Sequence, residues 1–214
     1  MTTLPAVRPP TNDTEERLLD AALTLFAKKG YEAASVREII EATGVTRPVL
    51  YYYCSSKEDL FKRLVHWKHD EAYRELGRIV SETQGCAHRL RAIIRGSFAF
   101  CAADPRVPRL MFQTAYGPAI PGIAEFMEEV GKLRFLVVHR VMQDGLNAGE
   151  LEGGDAASLS LIFCCVMDQH INVLSRLPNP KKRLAPELAD GVVDVFLHGV
   201  GSGQRGRVSQ GLRT

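Results

Sequence analysis

"GVTRPVLYYYCSSKEDL", residues Gly44 to Leu60, is the stretch on which the fold turns. Three consecutive tyrosines, Tyr51, Tyr52 and Tyr53, follow closely on Arg47 and Pro48. A strand sends neighbouring side chains to opposite faces, and a helix fans them around its axis at about 100° intervals. The three rings therefore cannot all enter one core, and an exposed set of aromatic hydroxyls calls for something that covers it. On a helix opened by Thr46, Pro48 sits in the first turn, where its missing N–H does no harm. Leu50 and Cys54 then share a buried face at i, i+4. The remaining surface carries Arg47 with Tyr51, Pro48 with Tyr52, and Val49 with Tyr53.

Upstream, Gly44 ends a short helix that Ser35 and Glu38 open as a capping box, with Val36, Ile39 and Ile40 on its apolar side. Before that, Asp13 and Glu16 read as the capping box of a first helix. Its stripe is Leu18, Leu19, Ala22, Leu25 and Phe26, and Lys28, Lys29 and Gly30 close it. Downstream, Ser55 and Glu58 read as the cap of a fourth, longer helix to about Ser81. Three short helices with a glycine turn between the second and third match a helix-turn-helix unit. The N-terminal residues of such a third helix reach base edges in a major groove. There Arg47 can offer its fork to guanine, and a tyrosine or proline ring can pack a thymine methyl. Tyrosine hydroxyls and backbone N–H groups bond phosphates, and Lys57 supplies a point charge. Placement carries this reading and total charge does not. The 214-residue chain has a net charge of +2, and residues 1–60 hold seven Lys/Arg against nine Asp/Glu.

Beyond Gly85 the periodicity stays helical, with helices expected at 86–103, 105–117, 122–148, 155–177 and 186–200. The Pro- and Thr-rich arm 1–12 and the Gly-rich basic tail 201–214 are expected to be disordered. A content of 45% hydrophobic and 24% charged residues is that of an ordinary globular protein. No signal-peptide core and no apolar run of about 18 residues is evident, and five cysteines without a CxxC pair suit a reducing cytoplasm.

From Asp13 to Leu64 the chain resembles the N-terminal domain of TetR-family transcriptional regulators, through "LLDAALTLFAKKGYEAASVREIIEATGV" followed by "LYYYCSSKEDL". The resemblance implies a homodimer of helical subunits whose C-terminal domain binds small molecules. It also implies base-side contacts from Arg37, Arg47, Pro48 and Tyr53, and phosphate-side contacts from Ser35, Thr46, Tyr51, Tyr52 and Lys57. Two positions depart from the family pattern: Ile40 stands where alanine is usual, and Cys54 where phenylalanine is usual. The larger Ile40 offsets the smaller Cys54 within one small core.

The C-terminal half is rich in aromatic residues and methionine: Phe98, Met111, Phe112, Tyr116, Phe126, Met127, Phe135, Met142, Phe163 and Met167. Most serve a core, yet such residues also line adaptable apolar cavities. The residues expected to meet an effector are Phe98, Phe112, Gln113, Tyr116, Phe126, His139, Met142, Phe163, Met167 and His170; Gln169 is a further polar neighbour. In the last two helices Leu159, Ile162, Val166, Val173, Leu174, Leu188, Val192, Val195 and Phe196 offer surplus apolar surface for a four-helix homodimer interface. The histidine pair of His66-x-x-His69-Asp70 has metal-compatible spacing, but no third ligand is evident nearby in sequence. "KKR" at Lys181 to Arg183 reads as a solvated loop, and no nucleophile elbow is present.

The sequence thus leads to an all-α protein. A helix-turn-helix DNA-binding domain spans 13–58, and a helical effector-binding and dimerisation domain spans 59–200. The expected function is a cytoplasmic regulator, a repressor that binds palindromic operator DNA and is released by a small, mostly apolar effector, with no cofactor, metal or membrane. The alternatives are a non-specific architectural DNA-binding protein and, more distantly, an enzyme.

Overall fold

The computed structural model describes residues 10–199; the arm before residue 10 and the expected disordered tail lie outside the described residues. Among the described residues there is no strand, and ten helices run in order. These are α1 (Asp13–Lys29), α2 (Val36–Thr43), α3 (Arg47–Tyr53), α4 (Lys57–Glu82), α5 (Cys86–Ala103), α6 (Arg106–Tyr116), α7 (Ala124–Asn147), α8 (Ala156–Leu174), α9 (Pro180–Arg183) and α10 (Pro186–His198).

The Ser35–Glu38 capping box is present, and Gly44 closes α2 in the left-handed conformation, at φ 69°, that glycine adopts without strain. Two caps lie one residue from where the sequence put them. Asn12, not Asp13, caps α1 by accepting from Glu15 N at 3.0 Å. Ser56, not Ser55, caps α4 by accepting from Asp59 N at 3.0 Å. Adjacent residues of equal capping ability compete in both places, and packing decides between them. Thr46 occupies the N-cap of α3 but makes no side-chain cap bond. The expected loop at Lys181–Arg183 is the short helix α9. Asn179 enters it with φ 58° and Pro180 fits its first turn, while its basic side chains stay exposed.

Two apolar cores form. The first gathers Leu18, Leu23 and Phe26 of α1, Ile39, Leu50 and Cys54, and Leu60, Phe61 and Leu64 of α4. Into this core also run Val107 and Leu110 of α6 and Ile123 and Phe126 at the start of α7. The second packs α5 against α7, α8 and α10 around Leu90, Phe98, Met142, Phe163 and Val193. Ion pairs tie the elements of the first core together. Buried Glu15 accepts from Arg63 of α4 at 2.8 Å, and Arg106 of α6 donates to Asp20 of α1 at 2.6 Å.

By length and composition, α8 could cross a membrane, with mean hydropathy 1.4 over its apolar window, contrary to the expectation that no such run exists. One face of α8 is buried in the second core through Phe163, Cys164, Met167 and Ile171. Its surplus lies outward, where Leu161 is 58% and Ile162 52% exposed. Of the nine residues expected at a dimer interface, Ile162, Val166, Val173 and Val195 are exposed. The other five pack within the subunit: Leu159, Leu174, Leu188, Val192 and Phe196.

Candidate functional site

The α2–α3 unit presents a polar and aromatic face. Leu50 is fully buried and Cys54 nearly so, which turns Arg47, Pro48, Tyr51 and Tyr52 outward. Tyr52 is 81% exposed, whereas Tyr53 leans on the first core and donates its hydroxyl to Asn12 Oδ1 at 3.0 Å. The Arg47 guanidinium lies 5.8 Å from the Tyr51 ring centroid, and the Tyr52 and Tyr53 rings meet edge-on at 5.0 Å. Stacking of this kind holds the arginine fork over the surface while its N–H groups stay available.

Several candidate contacts have work inside the fold. Arg37 donates to Glu41 at 2.7 Å, and that bond holds its guanidinium pKa above the ordinary value. Ser35 spends its hydroxyl on the capping box with Glu38. Hydrogen bonds from Lys29 and then Ser35 pull the Glu38 carboxyl down to about 2, so the box stays charged. Lys57 donates to the carbonyls of Tyr31, Glu32 and Ala34 at 3.1, 3.4 and 3.3 Å, and sits 4.3 Å from the centroid of the Tyr31 ring. It thereby pins the α1–α2 loop to the start of α4. The sequence offered no signal for this, because the acceptors are backbone groups more than 20 residues away.

A cavity of about 580 Å³ opens between α4, α5, α6, α7 and α8. Its walls are mainly apolar, with Phe100, Met111, Phe112, Met127, Val130 and Met167 prominent. A bidentate ion pair from Arg134 of α7 to Asp168 of α8 borders it, together with Lys68, His69 and Glu71 of α4. Burial pushes the Cys101 thiol on its wall up to about 12, which keeps it protonated.

Three of the ten residues expected to meet an effector line this cavity: Phe112, Tyr116 and Met167. Phe98, Met142 and Phe163 are buried in the second core, and Phe163 packs edge-on against Phe196. Phe126 belongs to the first core, where His66 packs against it at 4.8 Å. His139 neighbours Phe135, while His170 neighbours Phe98 and bonds Val166 O through Nδ1 at 2.7 Å. Gln113 borders a separate cleft between α1, α6 and the end of α8. Met111 and Met127, which the sequence singled out only as part of the apolar set, do line the cavity, as do Arg134 and Lys68, which it did not. Among the described residues no group of three metal-ligating side chains comes together.

Residues 18–64 match the family described as bacterial regulatory proteins, tetR family. The HTH-type transcriptional activator FasR of Mycolicibacterium smegmatis is 33% identical over 109 residues, 51% of this chain. That match spans 50% of the relative's own length. Among solved structures, the regulator FadR from Bacillus subtilis in complex with stearoyl-CoA superposes with TM-score 0.74 at 20% identity, covering 87% of this chain and 99% of that one. The ketosteroid regulator KstR2 of Mycobacterium tuberculosis does so with TM-score 0.73 at 19% identity, covering 92% and 100%. At such identities the structural likeness speaks for the fold. The relatives are transcriptional regulators, not enzymes.

Proposed function

We propose, for a chain that belongs to the TetR family of bacterial transcriptional regulators, that it is a cytoplasmic homodimeric repressor released from palindromic operator DNA by an amphiphile with a long apolar body. Two copies join through the outward apolar faces of α8 and α10. This sets two α3 helices about one groove repeat apart, on half-sites spaced by about 10 bp or a related interval. Arg47 and Pro48 read bases, joined by Arg37 once it leaves Glu41 and by Tyr53 once it leaves Asn12. Thr46, Tyr51, Tyr52 and Ser35 lie along phosphates. Lys57 acts through the loop it pins as much as through its charge.

One observation carries the switch. Val107 is buried in the core that holds the helix-turn-helix unit and also lines the apolar cavity. Nothing packed between α6 and α7 can move Val107 without disturbing the DNA-binding core. α4 adds a second link, holding the α1–α2 loop through Lys57 and lining the cavity at Lys68 to Ala72. That separation of 11 residues is about 17 Å at 1.5 Å per residue. A cavity of this size and lining suits an acyl chain, in keeping with the acyl-CoA held by the FadR structure, while an acidic head would take Arg134 and Lys68 in exchange for Asp168 and Glu71, which now pair with them.

Gly131 lines the cavity, and a Cβ built on it meets nothing within 4 Å. Gly131→Leu should therefore fill space without displacing the helices. The expected result is unchanged operator affinity with release by stearoyl-CoA lost or weakened at least tenfold. Release at the wild-type concentration would exclude this cavity as the effector site.

A further inference from the structure

The geometry points to a second ligand site, for a small phosphorylated polyanion, in the cleft where α1, α6 and the C-terminal end of α8 meet. The cleft measures about 550 Å³ and shares no lining residue with the apolar cavity. Four cationic side chains line it, Lys28, Arg106, Arg109 and Arg176, and no carboxylate does. Arg106 is already neutralised, with Asp20 at 2.6 Å and Asp104 at 2.8 Å. Lys28, Arg109 and Arg176 form no ion pair with any described residue, although Arg63, Arg89, Arg91 and Arg95 all find carboxylates nearby.

A second, independent feature marks the cleft. Ser175, which ends α8, is 5% exposed, and its hydroxyl has no partner among the described residues; the Gln113 side-chain oxygen is orphaned in the same way. Buried polar groups are nearly always satisfied, so an orphaned hydroxyl donor on a concave, cationic surface marks a place that an anionic ligand completes. The donors there are of the kind phosphate takes: guanidinium forks, an ammonium and a hydroxyl. Three uncompensated positive charges match an anion of charge two or more better than a monocarboxylate. None of the lining residues lies on α2 or α3, so the cleft stands apart from the proposed DNA face. Because the cations come from α1 on one side and from α6 and the turn after α8 on the other, a bound polyanion ties the helix-turn-helix core to the C-terminal helices.

Inorganic pyrophosphate is the probe. Calorimetric titration into the full chain, with ionic strength held constant by chloride, should give one saturable site per chain. Affinity should fall at least tenfold in Arg109→Gln/Arg176→Gln and several-fold in Ser175→Ala. The control Lys181→Gln/Lys182→Gln removes the same charge from exposed positions of α9 and should bind as the wild type does. Arg109 and Arg176 are themselves exposed, so cooperative melting of every variant is expected and is checked alongside. The proposal is overturned if no saturable heat is seen, or if the α9 control loses as much affinity as the cleft variant.

Discussion

Arg47 suits the base-reading role proposed for it: it is exposed, forms no ion pair with a described residue, and rests near the Tyr51 ring. Arg47→Ala should weaken operator binding by about 1–3 kcal/mol and relax preference at one base position, leaving binding to random duplex much less affected. Competition binding against single-base operator variants at fixed salt reads this directly; an unaltered base preference would mean that α3 presents another edge to the groove. The outward face of α3 was legible in the sequence, because three consecutive aromatic residues on a short helix leave few arrangements. Leu50 and Cys54 fall on the buried side as their spacing requires. What escaped was Tyr53, whose hydroxyl bonds Asn12, and Lys57, whose ammonium holds three carbonyls. Such partners are set by how helices dock, and helical periodicity does not encode docking.

At the scale of the element, α4 joins the two ends of the molecule, and His66 sits midway along it, buried beside Phe126 of α7. Burial lowers the His66 pKa, against the opposing pull of Asp70 and Glu129, and lowers that of His69 despite its bond to Asp70. Because the unfolded imidazole takes up its proton near 6.5 and the folded one resists, the unfolded state binds more protons just below that value. The contribution is present above about pH 6.5 and lost as pH falls through the folded pKa. Thermal melts should show a lower midpoint at pH 5.5 than at pH 7.5, with a smaller difference in His66→Leu; an identical difference would remove His66 from the account. Helix positions were readable to within about two residues except at the end of α8 and at the short α9, where the sequence reads as a loop, since glycine and proline breaks are strong local signals. The effector residues were less so. Phe98, Met142 and Phe163 have the right composition but face the second core, whereas Met111 and Met127 face the cavity. On helices packed from several sides, periodicity tells that a residue is apolar and leaves open which gap it borders.

At the scale of the whole molecule, apolar residues divide into two cores, with α6 and the start of α7 entering the first, so a wall of the cavity belongs to the core that holds the helix-turn-helix unit. In the proposed dimer the outward apolar faces of α8 and α10 fix one copy against another, so a small shift at the α6–α7 junction would change the spacing between the two α3 helices. Such coupling is typically worth about 1–3 kcal/mol, and by linkage it acts equally in both directions. The most direct measurement is the affinity of stearoyl-CoA for the full chain, taken with and without saturating operator DNA selected from a random pool. The account predicts binding about 5- to 150-fold weaker when operator is present. Equal affinities in the two titrations would contradict it, however tightly the ligand binds.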